Sequence, residues 1–142
     1  MSESRLAQLK AGIAAWNRHD AEGVSARFAA DALLRVMATG EEARGREQIQ
    51  ALVAARIRAV PDWRLELRRT YDGGETLCAE WRLTGTHQDE FMGIPATHRA
   101  VDMVGCSIFA FDPSGLATEE RVYFDAATLL HHLGLLPEPQ PT

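Results

Sequence analysis

The stretch VPDWRLELRRTYDGGETLCAEWRLTGTH, residues 60–87, decides the architecture, because the hydrophobic period changes inside it. Just before it, Ile49, Leu52, Val53, Ile57 and Val60 recur at helical spacing from Arg46 onward. Pro61 ends that helix, since the residue before a proline is pushed out of helical geometry. From Trp63 the pattern alternates with a period of two: WRLELRRTY and TLCAEWRLTGTH read as strands, and Asp72-Gly73-Gly74 between them is a hairpin turn signal. On the second strand Leu77, Ala79, Trp81, Leu83, Gly85 and His87 share one face, which is apolar until His87 at its end.

Working outward from that stretch, the front of the chain is helical. Leu6, Leu9, Ile13 and Trp16 predict an amphipathic helix over residues 4–19, and Asp20 suits the cap of a second helix carrying Ala21, Val24 and Phe28 on one face. ALLRVM (32–37) reads as a short strand and TGEEARG (39–45) as a turn region. Downstream, the loop QDEFMGIPAT (88–97) leads into the strand RAVDMVGCSIFAF (99–111). Asp112-Pro113-Ser114-Gly115 turns the chain into a last strand, LATEERVYF (116–124), and a short helix follows over 126–133. Helices first and hairpin-linked strands afterwards predict an α+β fold, with a curved antiparallel sheet packed against the N-terminal helices. A sheet that curls over helices makes a cone, and a cone has a mouth.

The chain of 142 residues is long enough for one domain without a metal or disulfide staple, expected over 1–137, with a disordered proline-rich tail at 138–142. Its net charge of -5 and lack of a basic segment argue against nucleic-acid binding. The N-terminal MSESRLAQLKAGIAAW lacks the apolar core of a secretion signal, and no apolar run is long enough to span a bilayer, so a cytoplasmic location is expected. Cys78 and Cys106 have no metal-ligand or redox spacing and read as small core residues. The chain carries no metal motif, phosphate-binding glycine loop or Gly-x-Ser-x-Gly elbow. Acid–base chemistry without metal or cofactor, or binding alone, is what remains.

Asp125 stands between the last strand and the last helix. It is either the N-cap of that helix or an acid–base group, and the pattern leaves both open. His87 is either a group at the opening of a pocket or an idle loop-edge residue. On the last strand, Glu119, Arg121, Tyr123 and Asp125 have one parity, and Thr118, Glu120, Val122 and Phe124 the other. Which set faces inward depends on how the sheet curls and on whether a bulge reverses the parity. Glu119 and Glu120 read as solvated charges beside Arg121, and His131 and His132 as cations suited to a helix C-terminus. Asp102 shares a face with Ala100, Val104, Cys106 and Ile108, as a structural aspartate or a buried acid of raised pKa.

The segments WNRHDAEGVSARFAADA, ARGREQIQ, VPDW, EWRLTGTHQDEFMGIPATHRAV and RVYFDAATLLHHLGLLP together resemble the SnoaL-like polyketide cyclases of the NTF2-like superfamily. The resemblance implies an α+β cone and a cofactor-free intramolecular aldol ring closure on an apolar polyketide. It matches Asp125 to the family's acid–base aspartate and His87 to the histidine of its Gly-Thr-His segment. The chain departs from the family pattern at Thr97-His98-Arg99, which places His98 near the expected mouth, and at His132-Leu133-Gly134. The mechanism so implied packs a small apolar or aromatic substrate on Trp16, Trp63, Trp81, Phe91, Met92 and Met103. Asp125 then takes a proton from carbon, protonated Asp125 or His87 returns one, and Tyr123 orients the carboxylate or donates to an oxyanion. The alternatives are another NTF2-like acid–base enzyme (isomerase, dehydratase or epoxide hydrolase) and a non-catalytic small-molecule binder. A homodimer or homotetramer is expected, because the outer face of a single curved sheet needs cover.

Overall fold

Four helices and six strands follow one another as α1 (Ser2–Asn17), α2 (Ala21–Ser25), β1 (Phe28–Val36), β2 (Glu41–Arg44), α3 (Gly45–Ala59), β3 (Arg64–Asp72), β4 (Thr76–Thr86), β5 (Ala100–Phe111), β6 (Ala117–Phe124) and α4 (Ala126–His132). The structure is a computed structural model and describes residues 2–137. The tail expected to be disordered, 138–142, lies outside the described residues.

The predicted punctuation holds. Asp20 caps α2 by accepting from the Gly23 amide at 2.9 Å. α3 stops at Ala59, before Pro61, and buries Ile49, Val53, Arg56 and Ala59 along one face. The turn region at 39–45 contains a short strand that alternation alone did not reveal. Four residues are too few to display a period, and β2 exists because β1 offers it an edge.

The sheet runs β2-β1-β6-β5-β4-β3. Neighbours are antiparallel except β1 and β6, which are parallel, so the expected antiparallel sheet is corrected to a mixed one. The cause is the α3 crossover. It carries the chain from one edge of the sheet to the other and returns it to the same end, so β3 runs in the direction of β2. Three hairpin reversals then bring β6 back alongside β1 in the same direction. Register shifts in β1–β6, β3–β4 and β5–β6 mark bulges, which bend strands and curl the sheet.

The concave face carries the apolar set of β4. Leu77, Ala79, Trp81 and Leu83 are buried, as the alternation required. Ala32, Leu34 and Val36 of β1 and Val101 and Met103 of β5 complete the wall. α1, α2 and α3 close the open side, with Ile49 and Val53 fully buried. Burying each such side chain stabilises the fold by about 1.5–3 kcal/mol. Two clusters of core residues meet at Trp16, Met92, Val122 and Phe124, which contact both without being fully buried. Incomplete burial of large apolar groups inside a core means unfilled space.

Candidate active site

That space is an apolar cavity of about 130 Å³ between the concave sheet face and the helices. Trp16 (α1), Trp63, Trp81 (β4), Phe91, Met92 and Met103 (β5), the residues on which the implied mechanism packs its substrate, all line it. Trp16 and Trp63 stack with centroids 4.6 Å apart, and Phe91 tilts against Trp63 at 6.5 Å.

Phe91 and Met92 reach the cavity from the β4–β5 loop, which is held by a two-residue hairpin. Phe91 and Ile94 exchange both backbone hydrogen bonds at 2.9 Å, with Met92 and Gly93 at φ 50° and 82°. Positive φ at both central residues is what a tight hairpin needs, and Gly93 supplies it without strain. Arg56 supports Phe91 from α3. Its guanidinium lies 5.4 Å from the ring centroid and donates to Glu41 Oε1 at 2.7 Å.

His87 is what anchors this loop. It is fully buried, but it does not line the cavity. Its Nε2 lies 3.2 Å from the Ile94 carbonyl, and its Nδ1 receives the Thr97 amide at 3.3 Å and lies 2.9 Å from Thr97 Oγ1. A carbonyl only accepts and a backbone amide only donates, so the hydrogen is assigned to Nε2 and the lone pair to Nδ1. Both nitrogens are engaged, and neither is free to meet a substrate. His87 thus positions the loop that delivers Phe91 to the cavity.

Asp125 also lies outside the cavity. It is exposed at the N-cap of α4, where Oδ1 accepts from the Ala127 and Thr128 amides at 3.0 and 3.3 Å, and Oδ2 accepts from Thr128 Oγ1 at 2.7 Å. The Thr128 hydroxyl and amide, followed by the Ala127 amide, hold its carboxyl below the ordinary carboxylate range. Between the two readings open in the sequence, this geometry is that of a helix cap. Asp125 borders a second, more polar hollow of about 360 Å³ with Asp102, Met103, Val104, Thr128 and His132. Asp102 is no buried acid. Arg82 grips it with two bonds of 2.8 and 2.9 Å, and that contact lowers its pKa. Tyr123 is exposed on the outer sheet face, and His98, also exposed, stands with Nδ1 3.1 Å from Gln88 Oε1; neither lines the cavity.

The carboxylate inside is Glu120. On β6 it lies opposite Leu34 of β1 and Phe109 of β5, both cavity residues, and its remaining accessible surface lines the cavity. Burial pushes its pKa up from the ordinary 4.5 to about 7, against the lowering effect of a hydrogen bond from Ser107. The direction of that bond can be derived. Trp81 Nε1 can only donate, and it donates to Ser107 Oγ at 3.0 Å. The Ser107 hydroxyl hydrogen is therefore free to point at Glu120. The reading of Glu120 as a solvated charge is corrected: the even-numbered face of β6, with Val122 and Phe124, is the inner one. The signal was there in its parity with two apolar neighbours, and adjacency to Glu119 and Arg121 masked it.

Gln8, Arg27, Arg56 and the unpartnered Nε1 of Trp63 add further polar groups to the lining. Arg27 Nη1 donates to Gln8 Oε1 at 3.1 Å, while its Nε is buried without a partner. Among the described residues, no cluster of three or more His, Cys, Asp or Glu side chains is placed to hold a metal ion. The site is thus an apolar chamber with one carboxyl that is about half protonated near neutrality. Such a group can both give and take a proton.

A family model described as SnoaL-like polyketide cyclase matches residues 8–133. The chain belongs to the SnoaL-like polyketide cyclase family. Solved structures agree on its NTF2-like fold. TsrD from Streptomyces laurentii superposes with a TM-score of 0.84 at 23% identity, covering 96% of this chain and 98% of that one. AclR from Streptomyces galilaeus, described as a candidate hydroxylase, gives 0.80 at 28% identity over 97% and 89%. A candidate SnoaL-like polyketide cyclase from Jannaschia sp. CCS1 gives 0.80 at 16% identity over 95% and 94%. No curated protein matches the sequence significantly. Among the described residues of this SnoaL-like chain, no helix is long and apolar enough to cross a membrane.

Proposed function

We propose that this SnoaL-like protein is a cofactor-free acid–base enzyme that moves a proton at carbon beside a carbonyl in an apolar substrate, with Glu120 as the proton carrier. The observation that carries the reading is a single carboxyl of pKa about 7 facing an aromatic-walled cavity. A carbon acid next to a carbonyl forms an enolate, and the nascent oxyanion needs a base nearby that becomes an acid after the first step. A carboxyl balanced near neutral pH does both with the smallest penalty. Ser107 steadies its charged form, and Trp81 holds Ser107. Within this class, the enolate of a polyketide attacking a second carbonyl held close by would close a ring, and proximity would lower the barrier of that intramolecular aldol step. We also propose that the outer sheet face, with Val104 and Tyr123 exposed, is covered by a second copy of the chain.

The test is deuterium exchange at the α-carbon of cyclohex-2-enone in D2O, followed by NMR. The wild type and Asp125→Asn should exchange at similar rates, and Glu120→Gln should fall to background. Loss of exchange in Asp125→Asn with folding intact, or full exchange in Glu120→Gln, would transfer the role from Glu120 to the helix cap or elsewhere.

A further inference from the structure

The size of the cavity limits what can reach Glu120. Its volume is about 130 Å³. An apolar cavity of roughly 150 Å³ engineered in another protein admits one benzene molecule. The chamber, slightly smaller than that, is therefore matched to a single six-membered ring. A three-ring polyketide core has more than twice as many heavy atoms as benzene.

The walls resist expansion. Phe28, Leu83 and Phe91 are 3%, 1% and 1% exposed, and close-packed interiors do not give way by a ring's width. Trp81 cannot retreat towards the sheet, because its ring lies over the backbone of β5 at Gly105. One carbon added at Gly105 would stand 2.6 Å from Trp81 Cζ2 and 2.6 Å from the Tyr123 carbonyl oxygen.

The lining also sets polarity. Ser107 is taken up by Trp81 and Glu120, Arg56 by Glu41, and Arg27 Nη1 by Gln8, while Arg27 Nε and Trp63 Nε1 are buried in the lining without a partner. Glu120 is the lining carboxyl able to meet a ligand oxygen or hydroxyl, and Arg27 Nε and Trp63 Nε1 are donors left free to meet an acceptor.

Resting on the acid–base reading above, we infer that the site takes a one-ring ketone or phenol and excludes fused polycyclic substrates. Such a ring stacks on the aromatic walls and presents its single oxygen-bearing edge to Glu120.

The experiment is isothermal titration of the full-length protein at pH 7 with phenol, cyclohex-2-enone and anthrone. Phenol and cyclohex-2-enone should bind, with anthrone bound about tenfold more weakly or not at all. Phe109→Ala, or Leu34→Ala should the first not fold, removes wall beside Glu120 and should gain anthrone binding. Wild-type binding of anthrone as tight as that of phenol would overturn the size limit, and so would failure of both one-ring probes to bind. Failure of the acid–base reading is distinct: cyclohex-2-enone would then bind without exchanging its α-hydrogens, and the size limit would stand.

Discussion

Replacing Glu120 with glutamine should make the protein more stable, and by an amount that depends on pH. Glu120 titrates at about 7 in the fold against an ordinary 4.5. That gap corresponds to about 3 kcal/mol of disfavoured ionisation, at about 1.4 kcal/mol for each tenfold change in proton affinity. The folded state holds this proton more tightly than the unfolded chain does. Below about pH 4.5 both states are protonated, and the carboxyl costs nothing through ionisation. As pH rises from about 4.5 to about 7 the unfolded chain releases its proton first, so stability falls. Above about 7 the folded carboxyl is ionised too, and the loss levels off. Glutamine keeps the shape and cannot ionise. Urea unfolding of wild type and Glu120→Gln between pH 4 and 9 should therefore give curves that lie together in acid. They should separate through the window and differ by about 3 kcal/mol above neutrality, with the variant more stable. A difference that stays flat across that range would refute the buried, destabilised carboxyl on which the proposed chemistry rests.

Four other outcomes follow from the same geometry. Ser107→Ala removes a hydrogen bond to the charged form, worth about 1.5–3 kcal/mol, so the pH midpoint of proton exchange should rise by about one to two pH units. Asp125→Ala should lower the melting temperature by removing the α4 cap while leaving exchange unchanged. His87→Ala should destabilise by about 2–4 kcal/mol in urea unfolding, since it orphans Ile94 and Thr97 and leaves a void in a fully buried site. Gly105→Ala should displace the Trp81 ring, visible as a changed tryptophan emission spectrum and a lower unfolding midpoint.

Much of the architecture was legible before any coordinates. The change of period at Pro61 separates helical layer from sheet, and the inward face of β4 reads directly from Leu77, Ala79, Trp81 and Leu83. These are local facts, set by side-chain spacing along an element whose geometry repeats. Trp16 and Trp81 of the aromatic lining were legible for the same reason, from their places on the apolar faces of α1 and β4, whereas Phe91 and Met92 come from a loop that has no period. The parallel pairing of β1 with β6 was not local. It depends on α3 carrying the chain across the whole sheet, and no residue of either strand encodes the direction of its neighbour.

The chemistry divides in the same way. Sequence supplied Asp102 on β5 and Glu119, Glu120 and Asp125 near the end of the chain, and the resemblance pointed to Asp125 among them. Tertiary structure sorted them. Asp125 meets main-chain amides at a helix start, Asp102 meets Arg82 on the outer face, and Glu120 turns into the cavity. A carboxyl's pKa is set by what surrounds it in three dimensions. For Glu120 those surroundings come from the hairpin partner β5 and from β1 and β4, strands far away along the chain that only the folded sheet brings near β6.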